Sequence, residues 1–159
     1  MAGRTEWVLL SYRLPREPSN PRVVLWRKLR QLGAAQLGDG LVALPADART
    51  KEQFEWLAEG ILESGGTSTV WIAQAGSARQ ERELIHQMRA RVEEEYEAIL
   101  NGVASVLSLD PPDRRRAVTR LKRDLRKIAS RDFFPPPLRE QARFAVQQLN
   151  LDMQIEVMT

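Results

Sequence analysis

At 159 residues and 43% hydrophobic content the chain can fill one core, or two small units sharing one, and with 28% charged residues and no long Gly/Ser tract it is neither disordered nor fibrous. The absence of cysteine rules out disulfides, thiolate metal sites and cysteine nucleophiles, while Arg4 and Glu6 interrupt any signal peptide and no apolar run approaches the ~20 residues that span a bilayer, so a cytoplasmic protein without a membrane partner is expected. The net charge of +3 is unevenly spread: residues 113–131 hold nine basic and two acidic side chains, whereas residues 33–77 hold two basic and six acidic.

In chain order, Trp7 to Tyr12 is a strand-like run ended by Pro15 and Pro18. Asn20-Pro21 opens a helix, because Asn caps free amides and a proline in the first turn gives up no helical hydrogen bond. Leu25, Trp26, Leu29 and Leu32 form its apolar stripe, and Gly33 closes it. Ala34 to Leu37 and Leu41 to Leu44 flank Gly38-Asp39-Gly40, a hairpin signature. Thr50 and Gln53 have capping-box spacing ahead of Phe54, Leu57, Ile61 and Leu62, and Gly65-Gly66 stops that helix. Thr67 to Ile72, β-branched and aromatic, reads as a fourth strand. The order β-α-β-β-α-β predicts a ferredoxin-like unit over residues 1–76.

From residue 77 the pattern is helical. Ser77 and Gln80 repeat the capping-box spacing, and Ile85, Met88, Val92, Tyr96, Ile99, Val103 and Val106 recur every three or four residues. Asp110-Pro111 restarts a second helix with Val118, Leu121, Leu125 and Ile128 inward. After Pro135-Pro136-Pro137 a third shows Leu138, Ala142, Ala145, Leu149 and Met153 on one face. The fold class expected is therefore α+β, a ferredoxin-like unit followed by an antiparallel three-helix bundle over 77–159, the two forming separate units or one composite domain. The four tryptophans, Trp7, Trp26, Trp56 and Trp71, are assigned to the core, Trp26 with the option of bordering a pocket.

Catalytic chemistry finds little footing. His86 is the only histidine and sits on an amphipathic helix, so neither a nucleophile–imidazole pair nor a zinc site is expected. Glu93, Glu94, Glu95 and Glu97 read as a solvated helix face. Gly65-Gly66 leads from helix into strand, the reverse of a phosphate loop, so no nucleotide motif, cofactor or metal is assigned. The strongest local signal is the basic helix. Arg116, Arg120, Arg123 and Lys127 share one flank, with Arg115, Lys122 and Arg126 on another, and the acidic helix before them is a ready internal counter-charge. Aromatic side chains are not interleaved with these cations, which disfavours single-strand stacking and leaves duplex binding through phosphates open.

Three segments together resemble the N-terminal domain of the chromate resistance protein ChrB family: Trp7 to Pro15, Trp26 to Ala34, and Ser130-Arg131-Asp132-Phe133-Phe134 before the last helix. The first half, with Tyr12-Arg13-Leu14-Pro15 and the hairpin Leu37 to Leu41, is also similar to the central domain of phenylacetate-type repressors, itself similar to small ferredoxin-like CRISPR adaptation proteins. The resemblance implies a role in chromate resistance as a chromate-responsive regulator of an export operon. ChrB-type proteins commonly continue into a further C-terminal domain, so this chain is expected to be a stand-alone relative, a piece of a longer protein or a partner-dependent module. The repressors carry a DNA-binding winged helix ahead of this unit, and none precedes the first strand here. CRISPR nucleases place a metal-binding aspartate where this sequence has Tyr12-Arg13, and an arginine repels such a cation, so the nuclease reading is rejected.

A non-enzymatic regulatory or sensor module is therefore expected. The candidate ligands for chromate or another oxyanion are the family-like positions Arg13, Arg16, Arg27 and Arg131. The alternatives are a DNA-binding module using the helix at 113–131, or a protein-interaction adaptor. An enzyme would have to work without cysteine, a histidine cluster or a cofactor motif. A homodimer through a sheet edge or the long helix is a further expectation.

Overall fold

The structure, a computed structural model, describes residues 4–159 as two compact units that divide at Met88/Arg89. The elements run β1 (Trp7–Arg13), α1 (Asn20–Leu32), β2 (Ala35–Gly38), β3 (Leu41–Pro45), α2 (Ala48–Glu63), β4 (Thr67–Ala73), α3 (Ala78–Val106), α4 (Pro111–Ser130) and α5 (Leu138–Met158). The division falls inside α3, whose first three turns belong with the sheet.

The sheet has the order β2-β3-β1-β4, with every neighbouring pair antiparallel. This is the ferredoxin-like arrangement expected from the element order, in which each helix returns the chain past one intervening strand. Side chains alternate across β1, so Val8 and Leu10, both fully buried, point to one face. That face carries the helices: the Ser68 hydroxyl on β4, level with Tyr12, donates to the Ala58 carbonyl of α2, and Leu25, Leu29, Phe54 and Ile61 complete the core. Across the sheet Trp7 is also buried, and its indole N–H donates to Glu81 of α3 at 3.3 Å while the Thr5 amide donates to the same oxygen at 2.7 Å.

Two caps differ from the expected ones. Asp47, not Thr50, is the N-cap of α2, and Thr50 at N3 closes the box: its amide donates to Asp47 at 2.7 Å, and its hydroxyl accepts from the Asp47 amide while donating to the Pro45 carbonyl at 2.7 Å. A carboxylate suits a helix N-terminus, and the threonine is then free to be wholly buried. Helix α1 is capped at Ser19, with Pro21 in its first turn. The tryptophan assignment is corrected more sharply. Only Trp7 is core; Trp26, Trp56 and Trp71 are 55%, 66% and 53% exposed. Strand β4 is a sheet edge with Trp71 on its open face, where the indole donates to Ser11 at 3.0 Å, and Trp26 and Trp56 lie on the outer sides of their helices. Leu62 is likewise exposed.

In the second unit α3, α4 and α5 share a core in which Val92, Tyr96, Ile99 and Val106 meet Val118, Leu121 and Ile128, and then Ala142, Val146 and Leu149. The helices run antiparallel: Arg89 near the start of this stretch donates to the Phe134 carbonyl beyond the end of α4, and Arg114 at the start of α4 reaches Glu156 near the end of α5. Gly102 allows the close approach of α3 to α4, since a Cβ there would stand 2.8 Å from Leu121. Val146 replaces Ala145 as the buried member of its turn. Among the described residues no helix is long and apolar enough to cross a membrane.

Candidate functional site

The end of β1 is held from both sides by glycine. Gly40, at φ +70°, turns the β2–β3 hairpin so tightly that a Cβ would overlap the Tyr12 carbonyl oxygen, and the Tyr12 amide donates to the Gly40 carbonyl at 2.8 Å. A Cβ on Gly66 would overlap the Arg13 carbonyl in the same way. These approaches fix where Tyr12 and Arg13 emerge from the sheet.

Beside them opens a cleft of about 1280 Å³ between the end of β1, the hairpin and the first two turns of α1. Arg13 and Arg16 line it, together with Arg22 of α1. All three are solvent-exposed, and among the described residues none forms an ion pair. The Tyr12 phenol, partly buried in the wall, has its pKa raised by burial, with Arg22 opposing and the Asp39 carboxylate reinforcing the shift. At neutral pH it is thus a proton donor with a cation and a carboxylate in electrostatic range. Ser19 caps α1 without a side-chain capping bond and lines the cleft, as do Trp26, Gln36 and Asp39.

Of the four arginines assigned to an oxyanion, the structure brings Arg13 and Arg16 to one cavity. Arg27 is exposed on α1 and does not line it. Arg131 lies in the second unit and is engaged by Glu95 of α3, Nη2 at 2.8 Å and Nε at 3.1 Å from the same oxygen, with both side chains largely sheltered. Arg22 was missed. Its signal was available in its place two residues after the Asn20-Pro21 helix start, on the turn that faces the end of β1.

The basic helix keeps most of its charge. Arg116 pairs with Asp113 at 2.6 Å and Arg123 approaches Asp124 at 3.9 Å, both exposed pairs within α4. Among the described residues Arg120 and Lys127 complete that flank without an ion pair, as do Arg115, Lys122 and Arg126 on the other flank. The acidic stretch of α3 engages the cations of 113–131 at Arg131 alone among the described residues. Arg115 and Lys122 also border a groove of about 490 Å³ against α5, together with Met153 and Val157. His86 is exposed on α3, and no group of three or more His, Cys, Asp or Glu that could hold a metal occurs among the described residues.

The Arg131-Asp132-Phe133-Phe134 segment is a polar junction in the second unit. Tyr96, completely buried, donates its hydroxyl to Asp132 at 2.7 Å, and burial, then that bond, push the phenol pKa far up. Asp132 Oδ1 and Arg139 Nε are buried without a hydrogen bond.

No solved structure matches the chain. Over 153 residues it is 29% identical to Protein ChrB of Cupriavidus metallidurans, covering 95% of this chain and 47% of that protein, so the chain spans about half the length of its curated relative. The family model described as Protein ChrB, N-terminal, matches residues 22–107. That stretch includes Arg22, Trp26 and the hairpin wall of the cleft but neither Arg13 and Arg16 nor α4. The antiparallel sheet, the helices that follow it and a match over more than half the residues together make this chain a member of the ChrB N-terminal domain family.

Proposed function

We propose that the chain is a non-enzymatic regulatory module in chromate resistance that senses chromate, or an oxyanion of the same shape, in the cleft at the end of β1. The observation that carries this reading is the gathering of Arg13, Arg16 and Arg22, none in an ion pair among the described residues, around one cavity that Asp39 also lines. Guanidinium forks bind oxyanions bidentately and stay charged at any physiological pH. The Tyr12 hydroxyl adds a neutral donor. A bound dianion would draw the β1–α1 segment toward α1, a structural change by which occupancy can reach transcription. Calorimetric titration with chromate and with sulfate tests it. Heat of binding that Arg13→Ala and Arg22→Ala abolish supports the reading; no heat at millimolar anion removes it.

A second reading, duplex DNA binding through α4, is favoured by the Arg115, Lys122 and Arg126 flank, three cations at helical spacing without ion pairs among the described residues. Such a row contacts backbone phosphates without reading sequence.

A further inference from the structure

We infer that the cleft at the end of β1 accepts a mononucleotide, its phosphate held by Arg13, Arg16 and Arg22 and its base laid on the Trp26 indole. This rests on the reading of the cleft as an anion site and names the class of anion. Size is the first argument. The cavity, about 1280 Å³, exceeds the roughly 300–1000 Å³ typical of sites for whole organic ligands, and a tetrahedral oxyanion would leave nearly all of it to water.

The second argument is the placement of Trp26. It follows Arg22 by four residues on α1, so the ring and the guanidinium share one helix face about 5–6 Å apart at Cβ. The Trp26 indole is more than half exposed on the cavity wall, which leaves ring surface open to a ligand. The Arg30 guanidinium lies over this ring, 4.9 Å from its centroid, and so holds the indole's orientation and covers one of its faces. The exposed remainder of the indole is open to a planar ligand.

The remaining wall offers polar groups to such a ligand. Ser19, whose hydroxyl makes no capping bond, and Arg22 bring the N-terminus of α1 to the cleft, in a first turn without an acidic residue. Phosphate is favoured there by the helix dipole. Gln36 and Asp39, across the cleft on the hairpin, offer one donor–acceptor amide and one acceptor carboxylate to the polar edge of a base.

The test is calorimetry on the full chain at fixed salt with AMP, adenosine, inorganic phosphate, sulfate and chromate, repeated on Trp26→Ala and Arg22→Ala. Trp26 is not part of the core, so its truncation leaves the fold intact, checked by circular dichroism. AMP is expected to bind at least about tenfold more tightly than phosphate, the worth of one base stacked on an aromatic ring. Trp26→Ala is expected to erase that advantage while leaving phosphate binding unchanged, and Arg22→Ala to weaken both. AMP binding no tighter than phosphate, or adenosine binding as tightly as AMP, overturns the inference and leaves the oxyanion reading standing. Failure of AMP and of every inorganic anion overturns both.

Discussion

Replacing Tyr96 by phenylalanine removes one oxygen from the centre of the three-helix core and leaves the ring that fills it. The hydroxyl is fully buried and donates to Asp132 at 2.7 Å, while the other oxygen of that carboxylate is already buried without a hydrogen bond. A hydrogen bond to a charged group contributes about 1.5–3 kcal/mol, and stranding its acceptor lies toward the upper end of that range. Tyr96→Phe should therefore destabilise the chain by about 2 kcal/mol at pH 7, read as a lower urea midpoint in the helical circular dichroism signal with the slope unchanged. A pH signature separates the buried hydroxyl from ring packing, with burial contributing to it more than the bond. The Tyr96 pKa is raised above its ordinary value of 10.0 in the folded state, so the unfolded chain gives up this proton first. The stabilisation is complete below pH 10 and is lost, at about 1.4 kcal/mol per pH unit, as the pH rises above it. The gap between wild type and Tyr96→Phe should then narrow between pH 10 and 11. A gap below about 0.5 kcal/mol at pH 7 would refute the bond as a source of stability, and a gap that stays constant through pH 11 would refute the raised phenol pKa.

Two further outcomes are expected. Gly40→Ala adds a Cβ against the Tyr12 carbonyl oxygen at a positive φ. It should cost about 1–3 kcal/mol in thermal or urea unfolding and weaken anion binding in the cleft, and an unchanged midpoint would show that the hairpin yields freely. If the Arg115, Lys122 and Arg126 flank tracks duplex DNA, log affinity measured by fluorescence anisotropy should fall against log salt with a slope of about −2.7 for three phosphates. Arg115→Ala with Arg126→Ala should flatten that slope by about 1.8; a slope near zero in the parent protein sinks the duplex reading.

The elements and their types were legible because their signals are local. Asn20-Pro21 and Gly33 bracket α1, Asp39-Gly40 turns the hairpin, and the three-to-four spacing from Met88 to Val106 needs no knowledge of the rest of the chain. The β-α-β-β-α-β order carried the sheet topology as well, because few arrangements satisfy short, unknotted connections. The cap of α2 was misplaced by three residues because Thr50 and Gln53 satisfy the same spacing rule as Asp47 and Thr50, and only the burial of the threonine distinguishes them.

What a side chain meets across the chain had to come from the tertiary structure. Arginine carries the same charge wherever it stands, so the sequence could point to Arg13, Arg16, Arg27 and Arg131 as a set, yet only folding draws the first two to Arg22, leaves Arg27 outside the cleft and gives Arg131 to Glu95. Tryptophan is equally ambiguous: Trp7 on a central strand is enclosed, whereas Trp71 on an edge strand and Trp26 beside the cleft are not, since burial depends on neighbours distant in sequence. By itself the amino-acid order determined which segments form and in what succession, through backbone preferences and apolar spacing. Which charges converge and which aromatic rings stay in water was decided only when β1, the hairpin and α1 came together, because electrostatic and packing energies depend on through-space distance.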